Sequence, residues 1–303
     1  MADNIVSHQE DNKKIAKLWF YVAFISLAVS GIFSIFIVAA RSPHISDLLP
    51  HEDFFKTALT IHVNLSVSVW LLSVCCMIGS YFSRSHTKIN GFGAILAAIG
   101  SALIALSVFN VKSDPYLNNY IPFINSDLFK WGIKLFGLGV LISTFAIFFA
   151  KAPASNFTIG VKSNSIIIIS VFLTIMLVYL QLEASTIEHK INDYYELLFW
   201  GGGHLMQYAF THAMIIAWFY ILYQIANLKN IEKPLIYIYL LNLALALIGF
   251  AIPFIYDVNS FEYIDYFTKH MYFMGGIAAF VAGLYLIKPF IKNYSKNNPE
   301  NIK

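Results

Sequence analysis

The sequence predicts an all-α, polytopic membrane helix bundle with about eight transmembrane helices and with both termini in the cytoplasm. Composition is the first observation: the 303 residues are 58% hydrophobic and only 12% charged, with a mean hydropathy of +0.65. Soluble domains usually carry about twice that charge. The second observation is that the apolar residues form eight runs of bilayer length. A water-soluble globule is therefore excluded, and a net charge of +3 from scattered lysines argues against a nucleic-acid partner.

The eight runs define the predicted organisation of the chain, because a transmembrane helix needs roughly 20 predominantly apolar residues. Helices 1 to 8 are expected at about 17–40, 54–82, 89–111, 130–150, 164–183, 194–224, 234–256 and 267–288. The first residues are polar and mixed in charge, so no cleavable signal peptide is expected. We divide the chain into a polar cytoplasmic N-terminus (1–16), a transmembrane bundle (17–288) and a basic cytoplasmic tail (289–303).

The Lys and Arg residues predict the orientation. With the N-terminus in the cytoplasm, 13 of these 20 residues lie on the cytoplasmic side and 7 on the other. Cytoplasmic loops of membrane proteins carry such an excess of cations. An even number of helices then returns the C-terminus to the cytoplasm as well.

Ionisable residues inside a membrane are costly and are therefore candidates for function. Three histidines fall well inside predicted helices: His62 in helix 2, and His204 and His212 in helix 6. No carboxylate lies at mid-depth to act as a counter-charge. Imidazole without a counter-charge favours metal or haem ligation over ion transport.

His62 and His204 are predicted to lie at the same depth. They stand eight and ten residues into helices that both run inward from the outer surface, or roughly 12–15 Å at 1.5 Å per residue. Two such histidines can serve neighbouring cofactors. The alternative is that each is a lone polar residue bonded to a backbone carbonyl.

The residues around His204 form a distinctive pattern. Trp200, His204 and Tyr208 recur every four residues and so share one helix face. Gly201–Gly203 weaken the helix by roughly 1 kcal/mol each, which a close approach of a ring or backbone would offset. The stripe favours a metal ligand beside a proton or electron donor, and the alternative is a small-residue contact between helices.

The other polar residues have simpler interpretations. His212 is expected to bond a neighbouring helix or to line a hydrated path. Lys269 and His270 are expected at the outer interface, where long polar side chains reach water. Ser30 and Gly31 in helix 1, and the glycines of helix 3, are interpreted as packing residues.

At Trp200, Gly203, His204 and Tyr208 the chain resembles helix 6 of haem-copper oxidase subunit I, and His62 resembles the haem-ligating histidine in helix 2 of that family. The resemblance covers about residues 17–288 and is closest to a divergent bacterial branch. It implies that His62 is an axial ligand of a low-spin haem, that His204 binds copper and that Tyr208 is catalytic, as a proton and electron donor to oxygen. It also implies cofactor contacts for Trp200 and Gly203.

The same resemblance implies a place in a bacterial inner (cytoplasmic) membrane, with other oxidase subunits as partners and cytochrome c or quinol as electron donor. Three features depart from the family pattern. Met206 replaces a glutamate of some members, Ile252–Ile255 replaces the region of an adjacent pair of copper-binding histidines, and the chain has eight of about twelve helices. A companion chain carrying the missing helices, a truncated subunit and a degenerate subunit each fit this pattern.

Three functional hypotheses follow. The first is a haem-binding subunit of a respiratory terminal oxidase, and the second is a non-catalytic haem-binding or assembly relative. The third is a small-molecule transporter, in which Gly201–Gly203 would form a break in helix 6 that lines a substrate site.

Overall fold

The computed structural model describes residues 2–42, 44, 53–83, 87–109, 114–151, 155–226 and 232–297. Within them, eight helical segments are long and apolar enough to cross a membrane, which confirms the predicted all-α bundle with about eight membrane spans. In chain order the helices are α1 (Ala2–Ala39), α2 (Phe54–Phe82), α3 (Thr87–Leu106), α4 (Asp127–Phe148), α5 (Asn156–Ala184), α6 (Ile191–Ala226), α7 (Glu232–Ile255), α8 (Phe261–Met274) and α9 (Ile277–Asn297).

Serine caps start three of these helices earlier than hydropathy predicts. Ser126, Ser155 and Ser260 each accept a hydrogen bond, at 3.1–3.3 Å, from the backbone N–H three residues later. Such a bond satisfies one of the free donors at a helix start. Helices α4, α5 and α8 therefore begin at residues 127, 156 and 261 rather than at about 130, 164 and 267.

The eighth predicted span is two helices rather than one. Helix α8 ends at Met274, and α9 begins at Ile277 after a turn at Gly275 and Gly276. Adjacent glycines are poor helix formers, so the interruption falls where the chain is weakest. The polar residues at both ends of the chain extend helices: α1 begins at Ala2 and α9 continues to Asn297.

Glycines bring α3 and α4 into close contact. A Cβ at Gly93 would meet the backbone of Gly139, and a Cβ at Gly100 would meet the backbone of Gly132 and Phe136. Small residues that allow backbones to approach are typical of membrane helix contacts. The packing interpretation of these two glycines is therefore supported.

The connection between α3 and α4 forms a short antiparallel hairpin. Its strands are β1 (Pro115–Tyr116) and β2 (Phe123–Ile124), with Pro115 opposite Ile124 and Tyr116 opposite Phe123. The hairpin packs against α2 and α6, the helices that carry the candidate histidines. It is the element that positions the site.

Candidate functional site

The His62 ring is held from helix α1. Its Nδ1 lies 2.9 Å from the carbonyl oxygen of Ser30, and because a carbonyl can only accept, Nδ1 carries the proton. The Ser30 hydroxyl lies 2.9 Å from the same nitrogen and donates at 3.0 Å to the His62 carbonyl. Nε2 has no hydrogen-bond partner among the described residues, and the side chain is half-buried. Ser30, which we expected to be a packing residue, is therefore the partner of His62.

A π-helical turn begins two residues after His62, over Asn64–Val69. Two side chains donate to carbonyls beside this turn: Ser66 donates to the His62 carbonyl at 2.7 Å, and Asn64 donates to the Thr60 carbonyl at 2.9 Å. Side-chain bonds of this kind compete with helical hydrogen bonds. Isolated π turns occur often at functional sites, and this one adjoins the candidate ligand.

Both ring nitrogens of His204 are engaged. Nδ1 lies 2.8 Å from the Trp200 carbonyl, to which it donates, and Nε2 accepts from the Tyr120 hydroxyl at 2.9 Å. The imidazole is 3% exposed and lies among three aromatic rings, Tyr120, Trp200 and Phe267, with centroids 4.7–5.3 Å away. Tyr120 was not among the residues that the sequence singled out.

Tyr120 keeps its proton at neutral pH. Burial raises the pKa of its phenol to about 12, and the Glu196 carboxylate adds to this rise. The phenol is therefore the donor and the His204 imidazole the acceptor in the bond between them. The nearby Trp200 indole N–H is buried without an acceptor among the described residues.

The three glycines of α6 make room for large side chains. A Cβ at Gly203 would overlap the Tyr120 ring, one at Gly202 would meet Ile175, and one at Gly201 would meet Tyr263 and Phe267. Helix α6 runs unbroken through them, from Ile191 to Ala226. The helix break that the transporter hypothesis requires is therefore absent from α6.

Polar bonds fix the hairpin that carries Tyr120. Glu196 accepts from both the backbone N–H and the side-chain amide of Asn119, at 3.0 and 2.6 Å. Asn64 donates to the Pro122 carbonyl at 2.7 Å. The hairpin thus joins α6 near His204 to α2 two residues after His62, so the two histidines lie at the same end of the bundle.

Tyr208 contacts a different histidine from the one that the sequence suggested. Its hydroxyl lies 3.4–3.5 Å from the His270 ring, and no hydrogen bond joins it to His204 in the described part of the chain. His270 Nε2 donates to the Leu245 carbonyl at 2.9 Å. The expectation that His270 lies at the outer interface is wrong, because the residue is 6% exposed and packs between α6 and α7. Its neighbour Lys269 is exposed, as expected.

His212 belongs to a separate buried network. Its Nε2 donates to the Gly160 carbonyl at 3.0 Å, and its Nδ1 accepts from the Asn242 amide at 3.1 Å. Asn242 also lies 3.1 Å from the Tyr208 carbonyl. The prediction of a bond to a neighbouring helix is therefore confirmed for His212.

The described residues do not fit a copper ion at His204. Copper sites in proteins recruit several nitrogen or sulfur ligands, and no group of three His, Cys, Asp or Glu in the described ranges is arranged to hold a metal. Both nitrogens of His204 already have partners. Met206, in the place of the family glutamate, is a buried core residue.

Comparison with known proteins supports the resemblance. The family model described as "Cytochrome C and Quinol oxidase polypeptide I" matches residues 14–257. An uncharacterized protein of Rickettsia prowazekii (strain Madrid E) is 29% identical over 311 aligned residues, which cover 90% of this chain and 59% of the relative. An uncharacterized protein of Aquifex aeolicus (strain VF5) is 30% identical over 212 residues, which cover 68% of this chain and 53% of the relative.

The chain thus spans little more than half the length of these two relatives. The family match, in contrast, extends over most of this chain, from α1 to the end of α7, and includes every helix that carries a candidate ligand. The structure places His62 and His204 at one end of that region, as the family pattern implies. The chain is a multi-pass membrane protein that belongs to the haem-copper oxidase subunit I family.

Proposed function

We propose that the chain is a haem-binding subunit of a respiratory terminal oxidase in a bacterial inner membrane, with His62 as an axial ligand. The single observation that carries this proposal is the tautomer of the His62 ring. Its Nδ1–H donates to the Ser30 carbonyl, and its Nε2 is left for a metal. Metal-ligating histidines almost always donate the other ring N–H to a carbonyl or carboxylate, which fixes their tautomer.

The surroundings of His62 also fit haem. The imidazole is half-buried and is held by two groups of one serine, so its orientation is set before a ligand binds. Bound haem would supply one-electron redox chemistry between ferric and ferrous iron. The residues of this chain orient the ligand nitrogen through Ser30, and Nε2 has no hydrogen-bond partner among the described residues.

The orientation and partners complete the proposal. Residues 17–288 form the membrane bundle, and the segments 1–16 and 289–303 lie in the cytoplasm. No second axial ligand occupies a family-like position in the described residues, so we assign it to a companion chain or to other oxidase subunits. Cytochrome c or quinol is the electron donor that the family implies. Trp200 contacts both Tyr120 and His204, and Gly203 contacts Tyr120. A cofactor that touches Trp200 or Gly203 would therefore lie beside Tyr120 and His204.

Reduced-minus-oxidised spectra of the purified membrane protein test the role of His62. We expect haem bands in the wild type and their loss in His62→Ala, because removal of the imidazole removes the ligand. His44→Ala is the matched control: it removes an exposed histidine from the connection between α1 and α2 and should keep the haem content. An unchanged haem content in His62→Ala would contradict the assignment.

The second candidate function is a non-catalytic haem-binding or assembly relative. The Tyr120–His204 bond favours it, because the nitrogen that would bind copper accepts a hydrogen bond from a phenol instead. Metal analysis and oxygen uptake separate the two functions. Haem with copper, and oxygen reduction that is lost in Tyr208→Phe, would support the oxidase and the proposed role of Tyr208. Haem without copper or oxygen reduction would support the non-catalytic relative.

A further inference from the structure

An apolar groove of about 490 Å³ lies between α1, α2 and α6, at the end of the bundle where α1 begins. It is remote from His62 and His204, which lie near the hairpin. Lys13, Lys17, Tyr81 and Tyr220 line the end nearest the start of α1, its polar end, mainly through their carbon atoms. Its deeper walls are apolar and include Val74 and Ala217, among other residues.

The two lysines at the polar end have no ion-pair partner in the described ranges. They are four residues apart on α1, so they lie on one face of the helix, and both are exposed. Lys14, between them, points elsewhere and pairs with Asp11 at 3.3 Å. Asp11 is thus paired outside the groove, and no ion pair joins the neighbouring Glu10 to Lys13 or Lys17 in the described ranges. The Lys17 ammonium lies 5.7 Å from the centre of the Tyr21 ring, so both cations at the mouth lack an acidic partner.

The tyrosine hydroxyls are polar groups near the lysines. The hydroxyls of Tyr81 and Tyr220 lie 3.0 Å apart, and either can donate to the other. Tyr220 also hydrogen-bonds the side chain of Gln224, so the headgroup contact is assigned to the lysines.

The depth of the groove matches one leaflet of a membrane. Along α2 its lining runs from Val74 to Phe82, a rise of roughly 12 Å at 1.5 Å per residue. Half of the hydrocarbon core of a bilayer is about 15 Å thick. The cations and hydroxyls lie at the helix end, where lipid headgroups are found, and the apolar walls extend inward from them.

We propose that this groove is a binding site for an anionic phospholipid. The phosphate contacts Lys13 and Lys17, and one acyl chain lies against Val74 and Ala217. Charge complementarity selects an anionic headgroup over a neutral one, and the apolar walls select a lipid over free phosphate. Basic pockets between membrane helices are known to bind anionic headgroups.

Native mass spectrometry of the full chain in detergent, titrated with dioleoyl phosphatidylglycerol, tests the proposal. Each lysine near an anionic lipid surface contributes a factor of about 5 to affinity, so the double variant Lys13→Gln/Lys17→Gln should bind about 25-fold more weakly. Lys14→Gln is the matched control, because it removes an exposed cation from the same turn but outside the groove. It should bind like the wild type.

A second variant tests the acyl-chain contact. Ala217→Trp fills the deep end of the groove while leaving both lysines in place, and it should also weaken phosphatidylglycerol binding. Equal binding by the wild type and the double variant would overturn the proposal, as would equal binding of dioleoyl phosphatidylcholine. Displacement of the lipid by millimolar inorganic phosphate would also overturn it, because the site would then recognise the anion alone. Far-UV circular dichroism establishes that each variant is folded.

Discussion

Replacing Gly203 with alanine should change the free energy of unfolding differently in two backgrounds, the wild type and a variant that lacks the Tyr120 side chain. In the wild type the new Cβ would overlap the Tyr120 ring, and the hairpin that carries this ring is held by Glu196 and Asn64. The ring therefore has little freedom to withdraw. In Tyr120→Gly the ring and its Cβ are both absent, so the three atoms nearest to the new methyl group are removed.

The magnitude follows from two opposing terms. Inserting a methyl group into a packed core costs about 1–3 kcal/mol, whereas alanine is favoured over glycine inside a helix by about 1 kcal/mol. Gly203→Ala should therefore be neutral or destabilising by up to about 2 kcal/mol in the wild type. In Tyr120→Gly it should stabilise by about 1 kcal/mol, which gives a coupling energy of about 1–3 kcal/mol.

Equilibrium unfolding in mixed micelles, followed by circular dichroism, measures all four free energies of unfolding. Gly202→Ala is the matched control, because its Cβ would meet Ile175 rather than Tyr120, so its effect should be the same in both backgrounds. An equal effect of Gly203→Ala in the two backgrounds would refute the contact between the hairpin and α6.

Three further predictions concern polar contacts. Glu196→Gln should speed hydrogen exchange at the backbone amide of Asn119, because a neutral side chain accepts that hydrogen bond more weakly than a carboxylate. An unchanged exchange rate would contradict the bond between Glu196 and the hairpin. Asn242→Leu should lower the free energy of unfolding by about 1–3 kcal/mol, since it leaves a buried nitrogen of His212 without a donor; a melting temperature equal to the wild type would count against this network. Lys269→Gln should leave the melting temperature unchanged, because its ion pair is exposed to solvent; a clear fall would show that the pair is buried in the assembled membrane.

The spans and their approximate positions were predictable from sequence because the cost of leaving apolar side chains in water depends on composition and length. The same reasoning placed helix boundaries less well. A serine cap acts through one hydrogen bond and leaves no trace in hydropathy, so α5 begins eight residues before the predicted start. The Gly275–Gly276 turn inside the eighth span was equally invisible to a hydropathy window.

The candidate site was only partly predictable. His62 and His204 stood out because an ionisable group in a membrane is costly at any position. Their partners did not, because Ser30 and Tyr120 are ordinary residues until the fold brings them to an imidazole. His270 was misplaced for the same reason: a histidine near a helix end reaches water unless another helix covers it, and α7 covers this one.

The sequence by itself determined that this chain is a membrane bundle, which histidines are unusual in it and which family it resembles. It also contains three adjacent glycines, Gly201–Gly203, which indicate that a ring or a backbone approaches helix 6 closely at that point. Only the tertiary structure decided which neighbours approach these glycines, and that the Tyr120 phenol meets His204 Nε2. The physical reason is range: hydropathy and helical periodicity are properties of adjacent residues, whereas a hydrogen bond across 84 positions of the chain exists only after the helices have packed.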